Sequence, residues 1–140
     1  MRRSHTEIYL HFVWSTRLRE PVLVGELDRT VRAAVSDEAR RLGCSVLALG
    51  GVADHLHLLA RVPARLSAAQ VAKHVKGRSS HAGNVALPDG ERFYWQEGYG
   101  AFSVSRSHLS RVAAYVETQP ERHARGDLWP DWERSDETAE

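Results

Sequence analysis

The segment GGVADHLHLLARV places two imidazoles, His55 and His57, two residues apart inside an apolar run. Side chains alternate along an extended strand, so both rings face one side while Leu56, Leu58, Ala60 and Val62 face the other. One face then packs on a core, and the other can hold a metal ion. Two imidazoles fill only part of a coordination shell. A working centre needs a further protein ligand and open positions for substrate or water. The same spacing also occurs where histidines only join a hydrogen-bond network, so the rest of the chain must decide between the two.

The elements that would position this pair are readable from periodicity. EIYLHFVWSTR alternates as a strand, with Ile8, Leu10, Phe12 and Trp14 on one face and Tyr9, His11, Val13, Ser15 and Arg17 on the other. After a turn at Pro21, apolar residues recur at Leu27, Val31, Ala34, Val35, Ala39 and Leu42 and stop at Gly43, the pattern of a helix ended by glycine. CSVLALGGVADHLHLLARV predicts two strands joined through Gly50, Gly51 and nearby residues, with the histidines on the second arm and Pro63 closing it. Ser67 and Gln70 make a capping-box pattern at the start of a second helix, near whose end Lys73, Lys76 and Arg78 cluster. A loop holding Tyr94, Trp95 and Tyr99 leads to a last strand, AFSVS. A third helix starts near Ser105 or Ser107 and ends at Pro120. This order predicts an α+β fold: a ferredoxin-like or RRM-like antiparallel sheet with helices packed on one face.

Length and composition set the frame. A chain of 140 residues, 42% hydrophobic and 26% charged, suits one domain with its own core. The N-terminus carries no signal-peptide pattern, and no segment approaches the ~18 uncharged apolar residues of a membrane span, so a cytoplasmic location without membrane contact is expected. The single cysteine, Cys44, excludes an intrachain disulfide and is expected to be a small buried hydrophobe. The net charge of +1 is unevenly spread: the last 20 residues hold seven acids against three arginines, which leaves +5 on residues 1–120. The expected organisation is a domain over residues 1–125 followed by an acidic tail over 126–140. A positive body suits a polyanionic partner.

On the third helix Leu109, Val112, Ala113 and Val116 form one stripe, and Tyr115 and Gln119, four residues apart, are neighbours on its flank. If that flank meets the histidine face, Gln119 can offer its amide oxygen to a cation held by His55 and His57. Tyr115 then points at whatever that cation binds, an arrangement suited to covalent catalysis. The competing reading is a tyrosine that packs its ring on a helix edge. Tyr94, Trp95 and Tyr99 face a similar choice between stacking on unpaired bases and packing locally.

Five ordered blocks carry a resemblance: HFVWSTRLREPVL, DHLHLL, KGRSS, WQEGYGAFSVS and YVETQPERH. Together, over about residues 7–123, they resemble the single-tyrosine HUH transposases of insertion-sequence-200-like elements, including their REP-associated relatives. The resemblance implies Tyr115 as nucleophile and His55, His57 and Gln119 as ligands of Mg²⁺ or Mn²⁺. Pro120 follows Gln119 directly, and His123 stands where such families often have histidine, so His123 is a second candidate ligand. Single-stranded DNA, commonly a hairpin, is the implied substrate, with Arg17, Lys73, Lys76 and Arg78 as candidate phosphate contacts. A homodimer with active sites shared between chains is also implied. Two other readings compete: a replication- or conjugation-type HUH nuclease, and a non-catalytic ferredoxin-like module that only binds nucleic acid.

Overall fold

A computed structural model of the chain describes residues 4–126. The acidic tail expected from residue 126 onward lies, apart from Gly126, outside the described residues. Four antiparallel strands, β1 (Tyr9–Ser15), β2 (Ser45–Val52), β3 (His55–Arg61) and β4 (Gly100–Val104), form one sheet in the order β2-β3-β1-β4. Helices α1 (Gly25–Arg41) and α2 (Ala68–Ala86) make the two crossovers. This is the ferredoxin-like α+β arrangement expected from the element order. No helix among the described residues is long and apolar enough to cross a membrane.

Alternation sorts the central strands as the sequence requires. Phe12, Trp14, Leu56, Leu58 and Ala60 turn to one side and join Val31, Val35, Val71 and Val75 of α1 and α2 in the main core. The two helices lie against each other, and Cys44 is buried beside them, where desolvation pushes its thiol pKa up. The opposite sheet face is covered as well. Ala48 and Leu59 pack there on Val112 and Val116 of α3 (Leu109–Glu117). The expectation of helices on one face thus holds for α1 and α2, while α3 covers the histidine face. With both faces covered, β1 and β3 are buried almost throughout.

Two local readings are corrected. Gly50 and Gly51 lie inside β2, and the turn is Ala53–Asp54, since Val52 pairs with His55. Gly50 is needed for packing instead: a Cβ there would stand 2.0 Å from the carbonyl oxygen of Val116, so the glycine lets α3 rest on β2. Nor does the last helical segment end at Pro120. A 3₁₀ turn (Arg106–His108) leads into α3, the helix breaks at Thr118 (φ −106°, ψ 25°), and α4 (Gln119–Arg125) restarts with Pro120 in its first turn. Proline is tolerated there because first-turn N–H groups have no intrahelical partner. The Ser67 capping box forms as expected, with Gln70 N–H donating to Ser67 Oγ at 3.1 Å and Ser67 N–H donating to Gln70 Oε1 at 2.8 Å.

Candidate active site

β3 starts at the Ala53–Asp54 turn, which sets His55 and His57 on the α3 side of the sheet with ring centroids 5.1 Å apart. β1 lies alongside in a register that pairs Val13 with His57 and His11 with Leu59, so His11 is a diagonal neighbour of His57 on the same face. All three imidazoles are buried. From above, α3 brings Tyr115, whose ring centroid lies 5.9 Å from that of His57 and 6.4 Å from that of His11. The Tyr115 side chain is fully buried, and the guanidinium carbon of Arg122 sits 4.9 Å from its ring centroid.

The break at Thr118 turns α4 so that two of its side chains reach His55. Gln119 Oε1 stands 3.4 Å from His55 Nε2, His123 Nε2 stands 3.1 Å from the same nitrogen, and His123 Nε2 and Gln119 Oε1 are 3.0 Å apart. Gln119 Nε2 donates to the carbonyl of Tyr115 at 3.3 Å, which turns the amide oxygen toward the imidazoles. Both candidates for the additional ligand therefore arrive at one point, one helical turn apart.

The other ring nitrogens of the two strand histidines are engaged from behind. His55 Nδ1 lies 2.7 Å from Asp54 Oδ1, and His57 Nδ1 lies 2.8 Å from His11 Nε2. When Nδ1 carries the proton and donates, Nε2 of each ring keeps its lone pair, the arrangement by which metal-binding histidines are oriented. Three donor atoms 3.0–3.4 Å from one another, two imidazole nitrogens and one amide oxygen, match the spacing of ligands about 2.0–2.2 Å from one cation. The donor set fits a divalent ion, and its nitrogen and oxygen atoms suit several of them.

His11 and Asp54 are the site residues that the sequence reading did not single out. His11 does share the alternation of Val13 and Tyr9, but only the β1–β3 register brings it to His57.

The candidate phosphate contacts disperse. Lys73 and Arg78 are exposed on α2, which packs on the sheet face away from Tyr115. Lys76 is a strut: its Nζ donates to the carbonyls of Gln96 and Gly98, both at 2.8 Å, and burial pulls its pKa below the usual lysine value against the opposing pull of Glu97. Arg17 sits in a 3₁₀ turn after β1, over the ring of Tyr94. Trp95 packs inward against Trp14 and Phe93, and both Trp95 and Tyr99 are part-buried against the main core.

Comparison with known proteins gives the chain a family and relatives of the same fold. Residues 4–119 match the family model described as "Transposase IS200 like". The chain is 26% identical over 130 residues to the ISDra2 transposase TnpA of Deinococcus radiodurans, covering 87% of this chain and 93% of that protein. It is 24% identical over 122 residues to the transposase for insertion sequence element IS200 of Salmonella typhimurium, covering 84% and 80%. A solved Deinococcus radiodurans structure described as a transposase superposes with a TM-score of 0.68 at 24% identity, covering 85% of this chain and 98% of that one. A REP-associated tyrosine transposase bound to a REP hairpin superposes with a TM-score of 0.67 at 18% identity, covering 96% and 80%. These two share the fold. The chain belongs to the IS200-like transposase family, enzymes that cut and transpose DNA.

Proposed function

We propose that this transposase cleaves and rejoins single-stranded DNA through a 5′-phosphotyrosine intermediate and depends on Mg²⁺ or Mn²⁺. The observation that carries the reading is the meeting of His55 Nε2, Gln119 Oε1 and His123 Nε2 within 3.0–3.4 Å of one another, under the helix that bears Tyr115. The hairpin held by the REP-associated relative supports a hairpin-forming strand as substrate.

His55, His57 and Gln119 would hold the ion, with His123 as the alternative to Gln119. When bound, the ion supplies Lewis-acid polarisation of the scissile phosphate and offsets charge gathering on its oxygens. Asp54 and His11 hold the two strand imidazoles in place from behind. Tyr115 Oη forms a bond to phosphorus while the bond from phosphorus to the 3′ oxygen breaks. The phenolic proton leaves, and the departing oxygen takes up a proton to become a 3′-hydroxyl. A free tyrosine, with a pKa of about 10, is mostly protonated at neutral pH, so the step needs help in deprotonation. The link to Tyr115 keeps the phosphodiester energy, so a different 3′-hydroxyl can reverse the step and join new DNA without ATP.

Tyr115 is fully buried with the Arg122 guanidinium over its ring, so DNA reaches the phenol only after a rearrangement that exposes it. A homodimer joined at a sheet edge belongs to the same reading. Among the described residues β2 and β4 are the edge strands.

The test is to incubate the protein with labelled hairpin DNA and Mn²⁺ and to look for a denaturation-resistant adduct. Tyr115→Phe is expected to abolish the adduct and to keep DNA binding. Binding without any adduct in the native protein would leave only a nucleic-acid-binding module, and an adduct that survives in Tyr115→Phe would move the nucleophile elsewhere.

A further inference from the structure

The irregular segment between α2 and β4 is fixed by more hydrogen bonds than a connection requires. Asn84 bonds both the N–H and the carbonyl of Phe93, at 2.7 and 2.9 Å. Ser79 Oγ accepts the Trp95 indole N–H at 3.0 Å, and Lys76 donates to the carbonyls of Gln96 and Gly98. On the β1 side, Gln96 N–H donates to the Ser15 carbonyl at 2.9 Å and Arg17 N–H to the Tyr94 carbonyl at 3.0 Å. Trp95 accounts for the inward face of this strap. Tyr94 turns outward and is 50% exposed, with the Arg17 guanidinium carbon 5.2 Å from its ring centroid.

Beside this pair the backbone is strained. Leu18 and Arg19 have φ of 55° and 53°, the left-handed region that costs a residue with a side chain energy, and the Leu18 N–H is held there by Gln96 Oε1 at 3.0 Å. Core packing does not recover that cost, because Leu18 is 79% exposed. Consecutive strained residues held in place by their surroundings are a mark of functional sites. Leu18, Tyr94 and Arg17 line an open depression of about 380 Å³ together with Trp95, Gln96 and Glu97. It lies at the end of the sheet where β3 begins, since the Thr16 N–H bonds the Asp54 carbonyl at 2.8 Å.

We propose that Arg17, Leu18 and Tyr94 form a subsite for one unpaired base of single-stranded DNA, outside the cluster of Tyr115 and the histidines. The base stacks on the Tyr94–Arg17 pair and against Leu18, and the adjoining phosphate lies at Arg17, away from the Glu97 carboxylate. An aromatic face beside a cation suits this ligand and tolerates any base, because every base has a π face. The inference rests on the reading of single-stranded DNA as substrate.

The experiment measures the affinity of the full chain, in EDTA so that no strand is cut, for two fluorescent hairpins: one blunt, one carrying a short single-stranded flank with 2-aminopurine. Native protein is expected to bind the flanked hairpin more tightly and to quench the 2-aminopurine. Tyr94→Ala should weaken binding of the flanked hairpin by about ten-fold and restore the fluorescence, while leaving the blunt hairpin unaffected. Tyr94→Phe should behave as native. Leu18→Gly, which accepts the left-handed backbone and so folds, should lose affinity for the flanked hairpin alone. Arg17→Gln should lower the salt dependence by about one charge. Native affinity and quenching in both Tyr94→Ala and Leu18→Gly would overturn the subsite and leave the substrate reading standing. Failure of the native protein to bind either DNA would sink both.

Discussion

The Nε2 atom of His11 lies 2.8 Å from Nδ1 of His57, with the two rings stacked at 5.0 Å between centroids. Asp54 Oδ1 holds the equivalent position behind His55 Nδ1. Neutral His57 can ligate through Nε2 only if Nδ1 carries its proton, and that proton needs an acceptor. His11 supplies it. His11→Phe keeps a buried ring of similar shape but offers no acceptor, so Mn²⁺ affinity should fall by about 10- to 100-fold with little change in unfolding temperature. His11→Gln places an amide near the lost Nε2 and should recover much of the affinity. Calorimetric titration with Mn²⁺ reads both, and native affinity in His11→Phe would reduce His11 to packing.

Gln119 and His123 reach the same point with different preparation. Gln119 is fully buried and its amide is already turned by the Tyr115 carbonyl, whereas His123 is only partly buried, near the end of α4. A donor held in place loses less freedom on binding. Gln119→Ala should therefore weaken Mn²⁺ binding more than His123→Ala, by about ten-fold against a few-fold. The reverse order, in the same titration, would make His123 the main ligand.

Gly50 decides how closely α3 rests on the sheet. A Cβ 2.0 Å from the Val116 carbonyl oxygen must push α3 away from β2, since the obstacle is backbone. Gly50→Ala should cost about 2–3 kcal/mol in urea unfolding. It should also slow adduct formation, because Tyr115 precedes Val116 on the same helix. Unchanged stability would mean that α3 shifts without cost.

Glu38 makes the fold sensitive to acid. Its buried carboxylate accepts from Arg41 Nε at 2.8 Å and Nη2 at 2.5 Å, and these bonds, aided by the charges of Arg41, His74 and Arg78, hold its pKa below the usual glutamate value against the cost of burial. A folded pKa below the unfolded one gives stability that is fully present above the unfolded value, about 4.3, and lost as pH falls through the folded one. Glu38→Gln should thus be less stable than native at pH 6, and the gap should close as pH drops below 4. A gap that does not vary with pH, in denaturant unfolding across that range, would contradict this.

What the sequence determined by itself is what near neighbours along the chain control. Alternation put His55 and His57 on one face and Leu56 and Leu58 on the other, apolar spacing set α1, and the Ser67–Gln70 pair set the start of α2. These follow from the periods of strand and helix and from capping bonds that span a single turn. Pairing between distant segments was decided only in three dimensions. The β1–β3 register brought His11 to His57, and the break at Thr118 carried Gln119 and His123 together to His55. The same holds for Gly50, which reads locally as a turn residue and serves a helix more than sixty residues away, and for Lys76, which reads as a phosphate contact and holds a loop. In each case the partner lies far along the chain, and local periodicity carries no information about which distant surface a face will meet.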